Sequence, residues 1–315
     1  MSKLRESLEE YLTIRRSLGF ELSTLACHVR NFIDFAEGEG ASYITTELAL
    51  RWAQLSTEAQ PATRAARLAS VRRFAAWRST TDPRTQVPPE GLLPHRYRRT
   101  RPYIYSDDEI GRIVLTAGEL ASPKGLRART YSTIFGLLAV TGMRVSEAVS
   151  LDRNDVDLEA RVLTIRRTKF GKTRLVPVHP STRDVLRAYG QQRDRIVRVS
   201  LTPGFFVSER GTRISGSAAR YTFAKVSREI GLRAPVKGHR HGHGPRLHDM
   251  RHRFAVRTLI DWYRAGLDVE REIPKLATYL GHVHVHDTYW YLEAVPELLA
   301  LATERLLDPH EEVGS

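Results

Sequence analysis

The chain has 315 residues, 41% of them apolar, and a formal net charge of +13 from 49 Lys and Arg against 36 Asp and Glu. That length is enough for two domains with buried cores. It contains no run of about 18 apolar residues that would cross a membrane, and its one cysteine, Cys27, excludes an internal disulfide. The start MSKLRESLEEYL is charged and amphipathic and lacks an apolar signal region, so a cytoplasmic protein with no membrane partner is expected. Arginine far outnumbers lysine, and the guanidinium fork matches phosphate, so the charge points to a nucleic acid. A basic protein from a high-GC genome would look the same by charge alone.

Residues 1 to about 80 read as helices. SLEEYLTIRRSLGF ends at Gly19, and STLACHVRNFIDFAEGEG has Ser23 as its N-cap and Gly38 and Gly40 at its end. Cys27 lies in this second helix and is expected to be a buried small hydrophobe. TTELALRWAQL follows, capped by Thr45 or Thr46. In QPATRAARLASVRRFAAWRST, Leu68, Val71, Phe74 and Trp77 recur at helical spacing, while Arg64, Arg67, Arg72, Arg73 and Arg78 occupy the rest of the surface. Such a face suits DNA phosphates and equally suits plain solvation. Residues 83–102 break the pattern with proline and the basic cluster Arg96, Arg98, Arg99 and Arg101, and read as a linker able to lie on a nucleic-acid backbone.

A second domain is expected over 103–315. SDDEIGRIVLTAG opens with a capping box, Ser106 and Glu109. Its acids Asp107, Asp108 and Glu109 fit the helix dipole better than a metal. TYSTIFGLLAVTG and the short MRVSEAVSL continue as helices. RVLTIRR and TRLVPV alternate as two strands around the turn TKFGK, and the remainder is mostly helical.

Four segments carry unusual polar chemistry. In Thr141-Gly142-Met143-Arg144-Val145-Ser146-Glu147, the arginine opens a helix and Glu147 one turn on can hold its guanidinium. The strand turn presents Lys169 and Lys172. His248 and Arg251 are three apart on one helix face, a pairing suited to a phosphate. Leu280-Gly281-His282 precedes Thr288-Tyr289-Trp290-Tyr291. Taken singly, each of these also fits an ordinary structural role. The alternating runs His239, His241, His243 and His282, His284, His286 suggest zinc at first sight. With no companion cysteines, a basic glycine-rich loop and a set of histidines flanking His282 are the preferred readings.

In this order and spacing the four segments resemble the tyrosine recombinases, also called the lambda integrase family, of the two-domain Xer-like type. The resemblance covers roughly residues 105–300, and the N-terminal helices resemble the family's core-binding, SAM-like domain. It implies a mostly α fold with a small antiparallel sheet in an α/β catalytic domain, over domains 1–82, 83–102 and 103–315. It assigns Arg144 and Arg251 as the phosphate clamp, and Lys169, 25 residues after Arg144, as the proton donor to the leaving oxygen, with Lys172 as the fallback or a DNA contact. It further assigns His248 as the group that takes the nucleophile's proton, His282 as a phosphate ligand and Glu147 as support. Tyr291, nine residues after His282, becomes the nucleophile in preference to Tyr289.

The implied activity is DNA cleavage and rejoining through a 3′-phosphotyrosine, without cofactor or metal. A tetramer on synapsed duplex would grip the DNA as a C-shaped clamp and exchange strand pairs in turn. A mobile-element setting, with other recombinases in tandem as possible partners, is expected, as is a simple site without distant arm sequences. The tail PELLALATERLLDPHEE is amphipathic and would dock on a neighbouring subunit or pack on its own domain. Three alternatives stay open at this point. They are a type IB topoisomerase-like nicking-closing enzyme, a non-catalytic accessory subunit and an RNA-binding protein.

Overall fold

The computed structural model describes residues 2–56, 59–93, 102–166, 173–235 and 244–307. The chain divides into two compact units, Met1–Thr100 and Arg101–Ser315. No helix among the described residues is long and apolar enough to cross a membrane.

The first unit is built from α1 (Lys3–Ser17), α2 (Ser23–Gly38), α3 (Thr46–Gln54) and α4 (Pro61–Arg78). The first helix starts earlier than its apolar pattern suggests, because the Ser2 side chain caps it by accepting from the Arg5 N–H. Ser23 is not a cap. It is already helical, and Leu22 in the left-handed region, at φ 48°, takes the cap position without a side-chain bond. Thr45 caps α3 through the Leu48 N–H, and Pro61 occupies the first turn of α4, where no N–H is needed. Leu8, Leu12, Val29, Phe32, Ile33, Val71 and Phe74 close the core, each fully buried aliphatic or aromatic side chain contributing about 1.5–3 kcal/mol.

Cys27 is exposed, contrary to expectation. The inward stripe of α2 runs through Ala26, Val29, Phe32 and Ile33, which turns Cys27 outward beside Asn31, one turn further on. On α4, Arg73 is exposed and Arg67 lies over the Trp52 ring at 5.9 Å. Arg64 donates to Ser56 O, and Arg72 donates to the carbonyls of Pro88 and Pro89.

The second unit runs α5 (Asp107–Gly118), α6 (Leu126–Thr141), α7 (Val145–Ser150), a 3-10 turn, β1 (Val156–Asp157), β2 (Val162–Ile165), β3 (Arg174–Pro177), α8 (Pro180–Ile196), α9 (Gly216–Glu229), α10 (Asp249–Arg264), α11 (Val269–Leu280), α12 (His286–Ala294) and α13 (Pro296–Leu307). The described residues are thus mostly α with a small antiparallel sheet, ordered β1-β2-β3, in which Val162 faces Pro177 and Ile165 faces Arg174. Residues 167–172 between β2 and β3, with Lys169 and Lys172, lie outside the described residues, as do His239, His241 and His243 and the arginines 96, 98, 99 and 101.

Helix α6 is apolar nearly all round and is accordingly buried at the centre of this unit. The capping box of Ser106 and Glu109 forms on α5. Asp107 has a further role, as its carboxylate pairs with Arg253 and Arg257 of α10. A second apolar cluster gathers α10 to α13 through Val256, Leu259, Ile273, Leu280, Tyr291 and Leu298. The tail helix therefore packs Leu298 inside its own unit and leaves Leu299 exposed.

Candidate active site

The site is organised by the C-terminal end of α11. The last carbonyls of a helix lack intrahelical partners and carry the negative end of its dipole, so they attract cations. Here three consecutive carbonyls each receive a guanidinium. Arg174 donates from Nε to Tyr279 O at 2.8 Å, Arg251 from Nη2 to Leu280 O at 2.6 Å, and Arg144 from Nη2 to Gly281 O at 3.0 Å. Arg144 and Arg251 come from segments 107 residues apart in sequence, and this helix end brings them together.

Two glycines permit the approach. Gly142 ends α6 at φ 61°, and a Cβ there would lie 2.5 Å from the Phe254 ring. Its carbonyl accepts the other Arg251 bond, from Nη1 at 3.0 Å. Gly281 ends α11 at φ 68°, with Arg174 against the place a side chain would fill. Both positions need a left-handed backbone, which glycine adopts without strain.

Glu147 ties the cluster together. Its carboxylate accepts from Arg144 Nη1 at 2.8 Å and from the Arg144 N–H at 2.7 Å, and it takes a two-pronged grip from Arg174 at 2.9 and 2.7 Å. Burial by itself would raise the Glu147 carboxyl, but the bonds from Arg174 and Arg144 outweigh it and hold it at about 2. Because the folded-state value is depressed, this stabilisation is present above pH 4.5 and is lost as pH falls toward 2. The side chain is only 8% exposed, so the shift corresponds to about 3 kcal/mol. Glu147→Ala should destabilise the fold by about 3–5 kcal/mol by leaving the largely buried Arg174 and the more open Arg144 without their carboxylate. Glu147→Gln should fall between it and the parent and should flatten the acid limb. Thermal unfolding across pH 2–7 reads both effects, and an unchanged acid limb in Glu147→Gln would remove Glu147 as its source.

Arg251 is 2% exposed. Burial and the neighbouring Arg144 bring its guanidinium down to about 10, so it stays charged at neutral pH, and a negative Tyr291 would raise it again. His248 sits at the start of α10 with solvent-open surface, yet the crowding around it and the Arg251 charge hold its imidazole at about 4. It is therefore neutral at pH 7 and able to donate a hydrogen bond. His282 is half-buried, its Nδ1 2.7 Å from Thr288 Oγ1.

Tyr291 is 1% exposed on α12, while Tyr289 is 38% exposed. The imidazole at the Tyr291 hydroxyl is that of His252, not His248, with Nδ1 and Oη 3.1 Å apart. His252 was not singled out from the sequence, although it follows His248 by four residues, about one helical turn. Arg174 gave no such signal, because it reads as an ordinary strand residue and its partner Glu147 lies 27 positions away. Among the described residues no three His, Cys, Asp or Glu side chains gather as a metal site.

Residues 105–297 match the phage integrase family model. A putative integrase/recombinase of Sinorhizobium fredii, y4rB, is 49% identical, over 97% of this chain and 98% of its own. The tyrosine recombinase XerD of Neisseria meningitidis serogroup B is 30% identical, over 74% of this chain and 72% of its own. The fold also resembles solved structures at low identity. The Tn1549 transposon integrase in complex with transposon right end DNA has a TM-score of 0.64 at 14% identity, covering 98% of this chain and 100% of that one. XerH site-specific recombinase on its palindromic difH substrate has a TM-score of 0.63 at 17% identity, covering 96% of this chain and 84% of that one. With its second unit matched by the family model and nearly its full length shared with an integrase-like relative, the chain belongs to the phage integrase family, the tyrosine recombinases.

Proposed function

We propose that this enzyme cuts and rejoins double-stranded DNA at a specific site through a covalent 3′-phosphotyrosine on Tyr291. The observation that carries this reading is the convergence of Arg144 and Arg251 on one helix end, with Tyr291 buried on the adjoining helix in the same apolar cluster as Leu280, whose carbonyl holds Arg251. A phosphodiester repels nucleophiles. Two guanidiniums neutralise its non-bridging oxygens and the charge that builds at the pentacoordinate transition state. His248, neutral at pH 7, and His282 donate hydrogen bonds to the same phosphate, and Lys169 protonates the leaving 5′ oxygen. Glu147 holds Arg144 in place. The phosphotyrosine keeps the energy of the broken ester, so religation needs no ATP.

DNA binding in this reading extends beyond the site. Residues 1–82 form a core-binding domain, with Arg64, Arg67, Arg72 and Arg73 toward the backbone. Residues 83–102 link it to a catalytic domain over 103–315, and Arg96, Arg98, Arg99, Arg101 and Lys172 add further phosphate contacts. Binding of this kind weakens steeply with salt. The enzyme acts in the cytoplasm as a tetramer on two synapsed sites, in the service of a mobile element, with tandem recombinases as partners. The Tn1549 neighbour, solved with transposon right end DNA, is consistent with that setting.

The test uses nicked suicide substrates made from the DNA flanking the enzyme's own gene, with the covalent adduct located by peptide mapping. An adduct on the peptide at Tyr291 Oη is the expected result. Tight binding with no adduct on any substrate would end the catalytic reading.

A further inference from the structure

We infer that His252 is a further catalytic residue, the base that takes the Tyr291 proton during cleavage and returns it on religation. The inference rests on the reading of Tyr291 as nucleophile. His252 is buried on α10, and its Nδ1 lies 3.1 Å from the Tyr291 hydroxyl, itself buried on α12. For Nδ1 to accept that proton, the ring proton must be on Nε2. The Asp249 carboxylate lies on that side, with Oδ1 4.0 Å from Nε2, and favours both this tautomer and the imidazolium that forms. Asp249 is itself anchored, accepting from the Arg246 N–H at 2.6 Å. His252 thus has the nucleophile's hydroxyl at one ring nitrogen and a carboxylate within ion-pair range of the other, the pairing of base and charge partner that activates hydroxyl nucleophiles generally.

The remaining charged surroundings agree. His248 of the same helix has its ring 4.8 Å from that of His252 and stays neutral at pH 7, so it does not oppose the imidazolium. Arg251, the chain neighbour of His252, opposes it and Asp249 favours it, although Asp249 Oδ1 also accepts from Arg246 Nη2 at 3.2 Å. His282 stacks toward the Tyr291 ring at 6.4 Å from beyond α11.

The protons balance. In cleavage the Oη–P bond forms as the phenol proton passes to His252 Nδ1, the P–O5′ bond breaks, and O5′ takes a proton from the Lys169 ammonium. In religation the 5′-hydroxyl returns its proton to the Lys169 amine, O5′–P forms, Oη–P breaks, and the phenolate recovers its proton from His252.

His252→Asn tests this. An asparagine keeps a neutral hydrogen-bonding atom near the position of Nδ1 but has no basicity, so it rescues mere positioning and cannot rescue proton transfer. With folding and DNA affinity checked by melting and gel shift, its adduct formation on suicide substrates should be about 100-fold slower at pH 7. The deficit should shrink as pH approaches the phenol range near 10. A substrate with sulfur in place of the bridging 5′ oxygen, whose leaving group needs no proton, should not restore the rate. Asp249→Asn, which keeps the imidazole, should move the acid limb of the cleavage profile to lower pH. Parental rates in His252→Asn, an equal deficit at every pH, or an unmoved limb in Asp249→Asn would overturn the inference while leaving Tyr291 as nucleophile. If the parent forms no Tyr291 adduct, both readings fall together.

Discussion

Tyr291→Phe is expected to abolish the covalent protein–DNA adduct, while Tyr289→Phe forms it at close to the parental rate. The contrast comes from where each ring lies. Tyr291 is buried in the apolar cluster that also holds Ala255, Val256 and Leu259 of α10, so phenylalanine fills the same space and removes only Oη. The lost bond to His252 should cost about 1 kcal/mol of stability, too little to unfold the domain. Loss of adduct would then report chemistry rather than misfolding. Tyr289 is exposed and stands one residue before Trp290, which packs against the apolar cluster. Denaturing gels of enzyme on a nicked substrate read the adduct, and native gel shifts read binding, which both variants should keep. An adduct persisting in Tyr291→Phe would place the nucleophile elsewhere.

Arg251→Ala should slow adduct formation by about 100- to 1000-fold, the usual cost of removing one donor to developing oxyanion charge. Two of its donors are spent on Gly142 O and Leu280 O, which fixes the plane of the guanidinium and leaves its other N–H groups for a phosphate. Arg251→Lys should remain well below the parent, because an ammonium cannot satisfy two fixed carbonyls and a phosphate in one plane. Stability will also fall, since two carbonyls lose their donor, so melting temperature has to be followed beside the rate. Arg144→Ala is the cleaner companion. Its side chain is more open, and a comparable rate loss should come with less destabilisation. Parental cleavage in either alanine variant would remove that arginine from the phosphate clamp.

The local features of the fold could be read residue by residue. The apolar spacing of Leu68, Val71 and Phe74 announced α4, the Ser106 and Glu109 pair announced the start of α5, and alternation announced β2 and β3. These are short-range effects, set by backbone geometry within one or two turns. Where a choice depended on which way a helix face turned, the same reading failed. Cys27 lies one residue past the buried Ala26, and the packing of α2, rather than the chemistry of a thiol, put it outside. Ser23 had the composition of a cap, but the chain entered α2 through a left-handed Leu22.

For this protein, the order and spacing of Arg144, His248, Arg251, His282 and Tyr291 were enough, from the chain alone, to indicate the family. Only the tertiary structure decided how they meet. The unpaired carbonyls at the end of α11 draw in Arg144, Arg174 and Arg251, and the packing of α12 on α10 delivers the Tyr291 hydroxyl to His252. Neither arrangement has a local sequence signal, because each joins groups tens to more than a hundred residues apart. A buried carbonyl or hydroxyl selects its partner by geometry and the cost of being left unsatisfied, not by separation along the chain.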